Sequence, residues 1–295
     1  MENLDKWRMA GHITAQVREY GASLVVKGAS YKDICEKIEL KIKQLGGQPA
    51  FPPQMSLNDV AAHFHIDPDE DIILSDELVC LDVGVHVDGC IGDTAITVDL
   101  SGKHTTLVEA SKAALAAALK TIDGGEHRLG KIGKAIDETI RSYGFVPIRN
   151  LSGHGLEEYE VHSDPTIPNY DTGDESTLPR DAVMAIEPFA TTGVGLIYEV
   201  DGANLFSQVD KKGVRSLITR EVLKEIEIYR GLPFASRWLT KKFPLFKVNF
   251  ALKELLHAGI IRDYAPLVDK GHGLVSQAEH TIYIDDNGKM EILTK

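Results

Sequence analysis

Four carboxylates stand in this chain where a carboxylate costs most. Asp82 interrupts Leu78-Val-Cys-Leu-Asp-Val-Gly-Val85, and Asp93 lies between Ile91 and Ala95. Glu187 sits inside Ala182-Val-Met-Ala-Ile-Glu-Pro-Phe189, and Glu279 inside Val275-Ser-Gln-Ala-Glu-His-Thr-Ile-Tyr-Ile284. The surrounding residues read as buried strand, and an ionised acid there is unfavourable unless a cation compensates it. His154, in Asn150-Leu-Ser-Gly-His154, adds a nitrogen donor in a glycine-flanked loop that lets backbone approach a ligand. Mostly oxygen donors with one imidazole suit Mn, Fe or Co, whereas a structural zinc site carries thiolates or more histidines. Taken singly, each residue has an ordinary explanation: an edge charge, an ion pair with a Lys or Arg, a loop histidine without a task. Taken together, the five point to hydrolysis at a two-metal centre.

The elements that must position these groups follow from hydrophobic spacing and turn chemistry. Met9, Ile13, Val17 and Leu24 fall at helical intervals, and Ile34, Ile38, Ile42 and Leu45 repeat the pattern after a cap at Ser30. Asp88-Gly89 between two β-rich runs is a two-residue hairpin turn. That turn sets the register: Val87 faces Cys90, Val85 faces Gly92, Gly84 faces Asp93 and Asp82 faces Ala95. Alternation then puts Asp82 and Asp93 on one face as diagonal neighbours, roughly 7–8 Å apart at the backbone. Gly84 opposite Asp93 is expected to leave room for it.

Residues 107–119 and 129–140 read as amphipathic helices. Residues 146–150, 183–189 and 274–284 read as further strands, and 221–230 and 247–258 as helices, each followed by glycine. The expected class is α+β with antiparallel sheets.

Composition narrows the function classes. Lys and Arg total 32 against 44 Asp and Glu, a net charge of −12 that argues against a general nucleic-acid binder. With 43% hydrophobic residues the chain can bury a large core, and its length admits one large domain with an insert at roughly 150 residues per domain. The N-terminal residues are charged where a secretory signal is apolar, and no apolar run approaches about 18 residues. Cys35, Cys80 and Cys90 form no Cys-x-x-Cys pair or disulfide framework, so a cytoplasmic location is expected, with no membrane partner.

In their order along the chain these residues resemble the methionine aminopeptidases of type II, particularly the short archaeal form. The resemblance rests on Pro49-Ala-Phe-Pro52, Asn58-Asp-Val-Ala-Ala-His63, Leu81-Asp-Val-Gly-Val-His-Val-Asp-Gly89, Gly92-Asp-Thr-Ala95, Asn150-Leu-Ser-Gly-His154, Ala185-Ile-Glu-Pro-Phe189, Leu232-Pro-Phe-Ala-Ser-Arg-Trp-Leu239 and Gln277-Ala-Glu-His-Thr281. It implies the pita-bread fold: a pseudo-two-fold curved antiparallel sheet with flanking helices, plus a type II helical insert. The catalytic domain is then 1–189 with 274–295, and the insert 190–273.

By position, the resemblance makes Asp82, Asp93, His154, Glu187 and Glu279 ligands of two divalent ions (Co, Mn or Fe), with Asp93 and Glu279 bridging. It makes Glu187 a general base, His162 the oxyanion partner and His63 the group that orients or protonates the peptide nitrogen. Phe51 and Phe189 match the aromatic wall of the methionine pocket. The implied reaction is removal of the initiator methionine from nascent polypeptides with a small second residue, by a monomer with transient ribosome contact at most and no specific nucleic acid.

Three departures bear on the site. Phe64-His-Ile-Asp-Pro68 follows His63 where the family has Tyr-Thr-Pro, which questions the entrance wall and leaves His65 as an alternative to His63. Ala278 replaces a larger residue before Glu279, and Gly155 after His154 is expected to loosen that loop. Two rivals remain: a prolidase or aminopeptidase P of the same fold, which the missing Glu in His162-Ser-Asp-Pro165 disfavours, and a non-catalytic homologue binding ribosome, RNA or protein, which the intact ligand set disfavours.

Overall fold

A computed structural model describes all 295 residues. The chain opens with α1 (Leu4–Leu24) and α2 (Tyr31–Gln44). It continues through strands β1 (Gln48–Pro49), β2 (Gln54–Leu57), β3 (Val60–Ala62), β4 (Leu78–Val87) and β5 (Cys90–Asp99). Helices α3 (Thr105–Asp123) and α4 (Leu129–Ser142) precede β6 (Val146–Pro147), β7 (Ser152–Glu157), β8 (Glu160–Pro168), β9 (Ala182–Ile186) and β10 (Phe189–Thr191). Then come β11 (Ile197–Glu199), β12 (Leu205–Gln208), α5 (Leu217–Ile226), β13 (Phe234–Ala235), α6 (Ser236–Thr240) and α7 (Leu245–His257). Strands β14 (Ile261–Tyr264), β15 (Leu267–Asp269), β16 (Val275–Gln277), β17 (His280–Ile284) and β18 (Met290–Ile292) complete it.

Two sheets carry the architecture. In the first, β4 pairs with β1, β2 and β5; in the second the order is β18-β17-β9-β7-β8, all antiparallel. A helix pair backs each. Ile13 and Val17 of α1 and Ile34, Ile38 and Ile42 of α2 pack on Leu81, Val83 and Val85 of β4. Ala114 and Ala118 of α3 and Ile132, Ile136 and Ile140 of α4 pack on Met184, Ile186, Ile282 and Ile284. The small alanine face of α3 lets that helix approach closely, and burying each aliphatic side chain contributes about 1.5–3 kcal/mol. Ser30 caps α2, its Oγ accepting from the Asp33 amide at 3.1 Å. Met9, although spaced with Ile13, is half exposed, and Trp7 takes the buried place.

The hairpin has the register that the Asp88-Gly89 turn predicts, from Val87 opposite Cys90 to Asp82 opposite Ala95. Elsewhere the strands differ from the periodicity. The apolar run 183–189 does not stay one strand: β9 ends at Ile186 and β10 begins at Phe189 in another sheet, paired with β16 and β6. Pro188 has no N–H to give a ladder, so the run breaks there. The run 274–284 divides in the same way into β16 and β17, around Ala278 and Glu279. Residues 146–150 form only the two-residue β6. His154 lies inside β7 rather than in a loop, because Ser152–Glu157 turns back on β8 as a second hairpin that the glycine-rich sequence concealed.

The segment 190–273 is mixed rather than purely helical. Phe206 of β12, Val222 and Ile226 of α5, Phe234 of β13, Leu239 of α6, Val248 and Leu255 of α7 and Ile261 of β14 form one apolar core. Strands β11 and β15 instead join β3 in a three-stranded sheet, tying this segment into the residues before His63. No helix is long and apolar enough to cross a membrane.

Candidate metal centre and active-site cavity

The four acids converge because the two strand breaks face the first hairpin. Where β16 stops and β17 starts, the segment Gln277–Thr281 lies along β5, and threonine hydroxyls replace the interrupted ladder. Thr97 Oγ1 donates to the Gln277 carbonyl at 2.7 Å and accepts from its amide at 2.9 Å. Thr281 Oγ1 does the same for Asp93, donating at 2.7 Å and accepting at 2.8 Å. Thr94 Oγ1 donates to the Glu279 carbonyl at 2.6 Å, and the Glu279 amide donates to the Ala95 carbonyl at 3.1 Å. Asp93 and Glu279 are thereby fixed against each other, 3% and 2% exposed. Breaking the strands frees both Glu187 and Glu279 from strict in-and-out alternation.

One donor atom from each of Asp93, His154 and Glu279 lies within 4.8 Å of the others. His154 Nε2 is 3.5 Å from Glu187 Oε1 and 3.9 Å from Asp93 Oδ2. The other ring nitrogen, Nδ1, donates to the Gly155 carbonyl at 3.1 Å, so Nε2 turns an acceptor lone pair toward the carboxylates. Gly155 does not loosen this strand: a Cβ there would stand 2.0 Å from the Asp164 carbonyl oxygen, so only glycine lets β7 and β8 close on each other. Gly84 has a different purpose from the one expected. A Cβ on Gly84 would meet the Phe51 ring at 2.2 Å, so the space serves Phe51 rather than Asp93.

Electrostatics reports the same crowding. Burial, with no compensating charge, pushes Asp82 up to about 7. Asp93 is raised well above the carboxylate range by burial and then by Asp82; Glu187 and Glu279 are raised by burial and then by Asp93. Burial lowers His154 to about 4 and His63 to about 4. His162 falls well below its usual value through desolvation, then the nearness of His154, His63 and Arg262.

Asp82 Oδ1 and Asp93 Oδ1 are buried without any hydrogen-bond partner, against the general rule that such atoms are paired. Inward acids, orphaned oxygens and an imidazole presenting a lone pair form the donor set of a hard or intermediate divalent cation. The residues fit a metal site.

A cavity of ≈ 320 Å³ opens from these acids and is walled by all nine residues singled out from the sequence: Asp82, Asp93, His154, Glu187, Glu279, His63, His162, Phe51 and Phe189. His162 packs on His154 with ring centroids 4.5 Å apart, and His63 packs on Tyr264 at 5.3 Å. His63 holds a left-handed backbone, φ 63°, at the end of β3. Phe51 and Phe189 are 4% and 1% exposed and give the cavity an aromatic wall from two separate apolar clusters.

The sequence departures fall outside the cavity. His65 is buried with its Nε2 accepting from Arg237 Nε at 3.0 Å, and Phe64 packs edge-on against Tyr31. Neither residue lines the entrance, and His65 is no alternative to His63. Ala278 packs in the core beneath α3 and α4, on the side away from the ligand oxygens.

Sequence reasoning missed Gln277, Tyr264 and Arg262 among the lining residues. Gln277 was within reach: it stands two residues before Glu279, and its Nε2 donates to Glu187 Oε2 at 3.2 Å. Tyr264 and Arg262 arrive from a short strand of the insert, and nothing in their local pattern announces that it returns to the site.

Comparison with known proteins gives the same direction. The pattern of metallopeptidase family M24 matches residues 5–222. The methionine aminopeptidase of Thermococcus onnurineus is 43% identical over 282 residues, covering 95% of each chain. That of Methanocaldococcus jannaschii is 40% identical over 297 residues, covering 100% of this chain and 99% of its own. Among solved structures, a thermophilic Arx1 superposes with a TM-score of 0.84 at 17% identity, covering 98% of this chain and 90% of that one. The methionine aminopeptidase of Thermotoga maritima gives 0.70 at 24% identity, covering 99% and 96%. At these identities the structural likeness speaks for the fold alone: the pita-bread architecture.

Proposed function

The chain belongs to metallopeptidase family M24, and within it to the methionine aminopeptidases, and from that premise we propose that it releases the initiator methionine from nascent polypeptides whose second residue is small. Family M24 enzymes work with divalent metal. The observation that carries the reading is the single cavity in which orphaned acid oxygens, two further histidines and an aromatic end meet.

Asp82, Asp93, His154, Glu187 and Glu279 would hold two ions of the Mn, Fe or Co kind. Such ions supply Lewis acidity at the scissile carbonyl and a lowered pKa for the attacking water. The chain's own groups do the rest. Glu187, steadied at Oε2 by Gln277, keeps Oε1 to take the proton of that water. The neutral ring of His162 donates an N–H to the oxygen on which charge develops, a role worth most in an enclosed site. His63, also neutral, orients the peptide nitrogen, and the free α-amino group would be held by a metal of this centre, which would confine cleavage to the first residue. Phe51 and Phe189 bound the methionine side chain. The catalytic unit is taken as 1–189 with 274–295 and the insert as 190–273.

The test uses metal-stripped protein titrated with Mn²⁺, Fe²⁺ or Co²⁺, with Met-Ala-Ser and an X-Pro peptide as substrates. Methionine release that returns with metal and collapses in Glu187→Gln supports the reading. Cleavage of X-Pro in preference to Met-Ala overturns it in favour of a prolidase-type activity. No release from folded, metal-loaded protein overturns it in favour of a binding role.

A further inference from the structure

Arg262 is the one lysine or arginine among the residues that line the active-site cavity. It lies at the opposite end from the acids. A succession of contacts leads from floor to rim: Asp93 to His154, His154 to His162, then His63 to Tyr264 and Tyr264 to Arg262. Asp93 and His154 at the floor are buried, and Arg262 at the rim is exposed.

The guanidinium makes no ion pair. Its Nε donates to Tyr264 OH at 3.0 Å and Ser207 Oγ at 3.2 Å, and its Cζ stands 5.0 Å from the Tyr264 ring centroid. Tyr264 and Ser207 are themselves 3.0 Å apart, and Ser207 is 2% exposed, directly across the β12–β14 ladder from Arg262. Two neutral hydroxyls thus hold the base of the head group in place and leave its outer nitrogens for a ligand. Preorganised cations of this kind lose little freedom on binding.

We propose that Arg262 is a specificity-determining residue that pairs with a carboxylate on the substrate a few residues beyond the scissile bond. The inference rests on the aminopeptidase reading, which seats the substrate's first residue at the metal-binding floor of the cavity. A peptide lying along the cavity from the metal-binding floor then meets positive charge at the rim, where Arg262 is complementary to a carboxylate further along the chain. From His63, at the scissile nitrogen, to Arg262 is two steps of 5.3 and 5.0 Å. An extended peptide covers that distance in roughly three residues at ~3.4 Å each. The carboxylate belongs to an Asp or Glu at about the third or fourth residue, or to the C-terminus of a short peptide.

The experiment measures kcat/KM on C-terminally amidated Met-Ala-Ser-X peptides with X as Asp, Ser or Lys, and on Met-Ala-Ser with a free or an amidated terminus. Metal-loaded wild type, Arg262→Gln, Arg262→Lys and Arg262→Glu are compared at low and high salt. Wild type is expected to favour Asp over Lys by about five-fold at low salt, the size of an exposed ion pair, with the difference carried by KM and shrinking as salt screens it. Arg262→Gln loses the preference, Arg262→Lys keeps part of it and Arg262→Glu reverses it. An Arg262-dependent gain with Asp identifies the side chain as the source of the carboxylate, and a gain only with the free terminus identifies the C-terminus. Equal rates on all peptides in wild type, or a preference that survives Arg262→Gln, overturns the inference alone. Failure of wild type to cleave the neutral Ser peptide overturns the aminopeptidase reading, and this inference with it.

Discussion

Two buried acidic places in this molecule solve the same problem in opposite ways. Glu39 on α2 is 6% exposed, and Arg237, 3% exposed, meets it across the molecule from the insert. Arg237 Nη1 and Nη2 donate to its two oxygens, Trp238 Nε1 adds a bond of 2.7 Å, and Lys241 Nζ stands 3.6 Å away. That acid is compensated from within the chain. Asp82, Asp93, Glu187 and Glu279 have no such ion pair; burial raises all four, and neighbouring carboxylates raise the last three further. A fold able to place Arg237 beside one carboxylate leaves four others bare, so the vacancy of charge is a property the site is built around. The charge it lacks is the one a metal brings.

The contrast makes predictions that differ for the two places. The largest effect is expected for Glu187→Gln: a loss of methionine release of about 10³- to 10⁴-fold, at the upper end for a proton-transferring group that also binds metal. The same change removes one of four repelling acids, so thermal unfolding of the metal-free variant is expected at or above the wild-type temperature. A variant that unfolds earlier without metal would show that Glu187 is compensated after all.

At the other acid the order reverses. Arg237→Gln leaves buried Glu39 with only the Trp238 hydrogen bond and the outlying Lys241, with an expected cost of about 3 kcal/mol in urea unfolding. Pairing Arg237→Met with Glu39→Met is expected to recover most of it, since replacing both partners of a buried pair with apolar side chains is near neutral. A single-variant cost under about 1 kcal/mol would abolish the distinction drawn here.

Metal addition should act on one place only. With Mn²⁺ at a hundred times its dissociation constant the wild type is expected to gain about 2.7 kcal/mol, read by differential scanning calorimetry. The Asp93→Asn and Glu279→Gln double variant is expected to gain almost nothing, while Arg237→Gln gains as much as wild type. Equal gains in all three would place the bound metal elsewhere.

The last effect is a slope. Asp82 is raised from the ordinary carboxylate range to about 7, so between those values the folded metal-free protein holds protons that the unfolded chain has released. Relative to Asp82→Asn, the metal-free wild type is therefore expected to lose stability as pH rises from about 4 to about 7, and the difference to flatten when Mn²⁺ is present. Urea midpoints of the two proteins across that range provide the check, and a wild-type midpoint that rises relative to the variant's toward neutrality would contradict it.

The legibility of the site in the sequence follows from where the rules of local structure apply. Asp82 and Asp93 were readable in full, register included, because a two-residue turn and strict alternation leave one pairing open. Glu187 and Glu279 were readable as anomalies but not as geometry, since each stands at a break where alternation stops. His154 passed for a loop residue because glycines that permit close strand contact are the same glycines that mark turns. Phe64 and His65 looked like changes to the substrate entrance by their nearness in sequence to His63, yet the left-handed turn at His63 sends them into the core. Arg262 and Tyr264 reach the cavity through tertiary packing of the insert, and no local pattern carries that information.

The hydroxyl stitches between β5 and the break after β16 join residues separated by 180 to 188 positions. Long closures of this kind form late, because their entropy must be met before their bonds repay it. During synthesis, Asp82 and Asp93 are therefore set as diagonal neighbours on one hairpin before Glu279 exists. The centre is complete only once Glu279 has been made, so an enzyme whose substrates are other growing chains gains its own competence well after its first hairpin is in place.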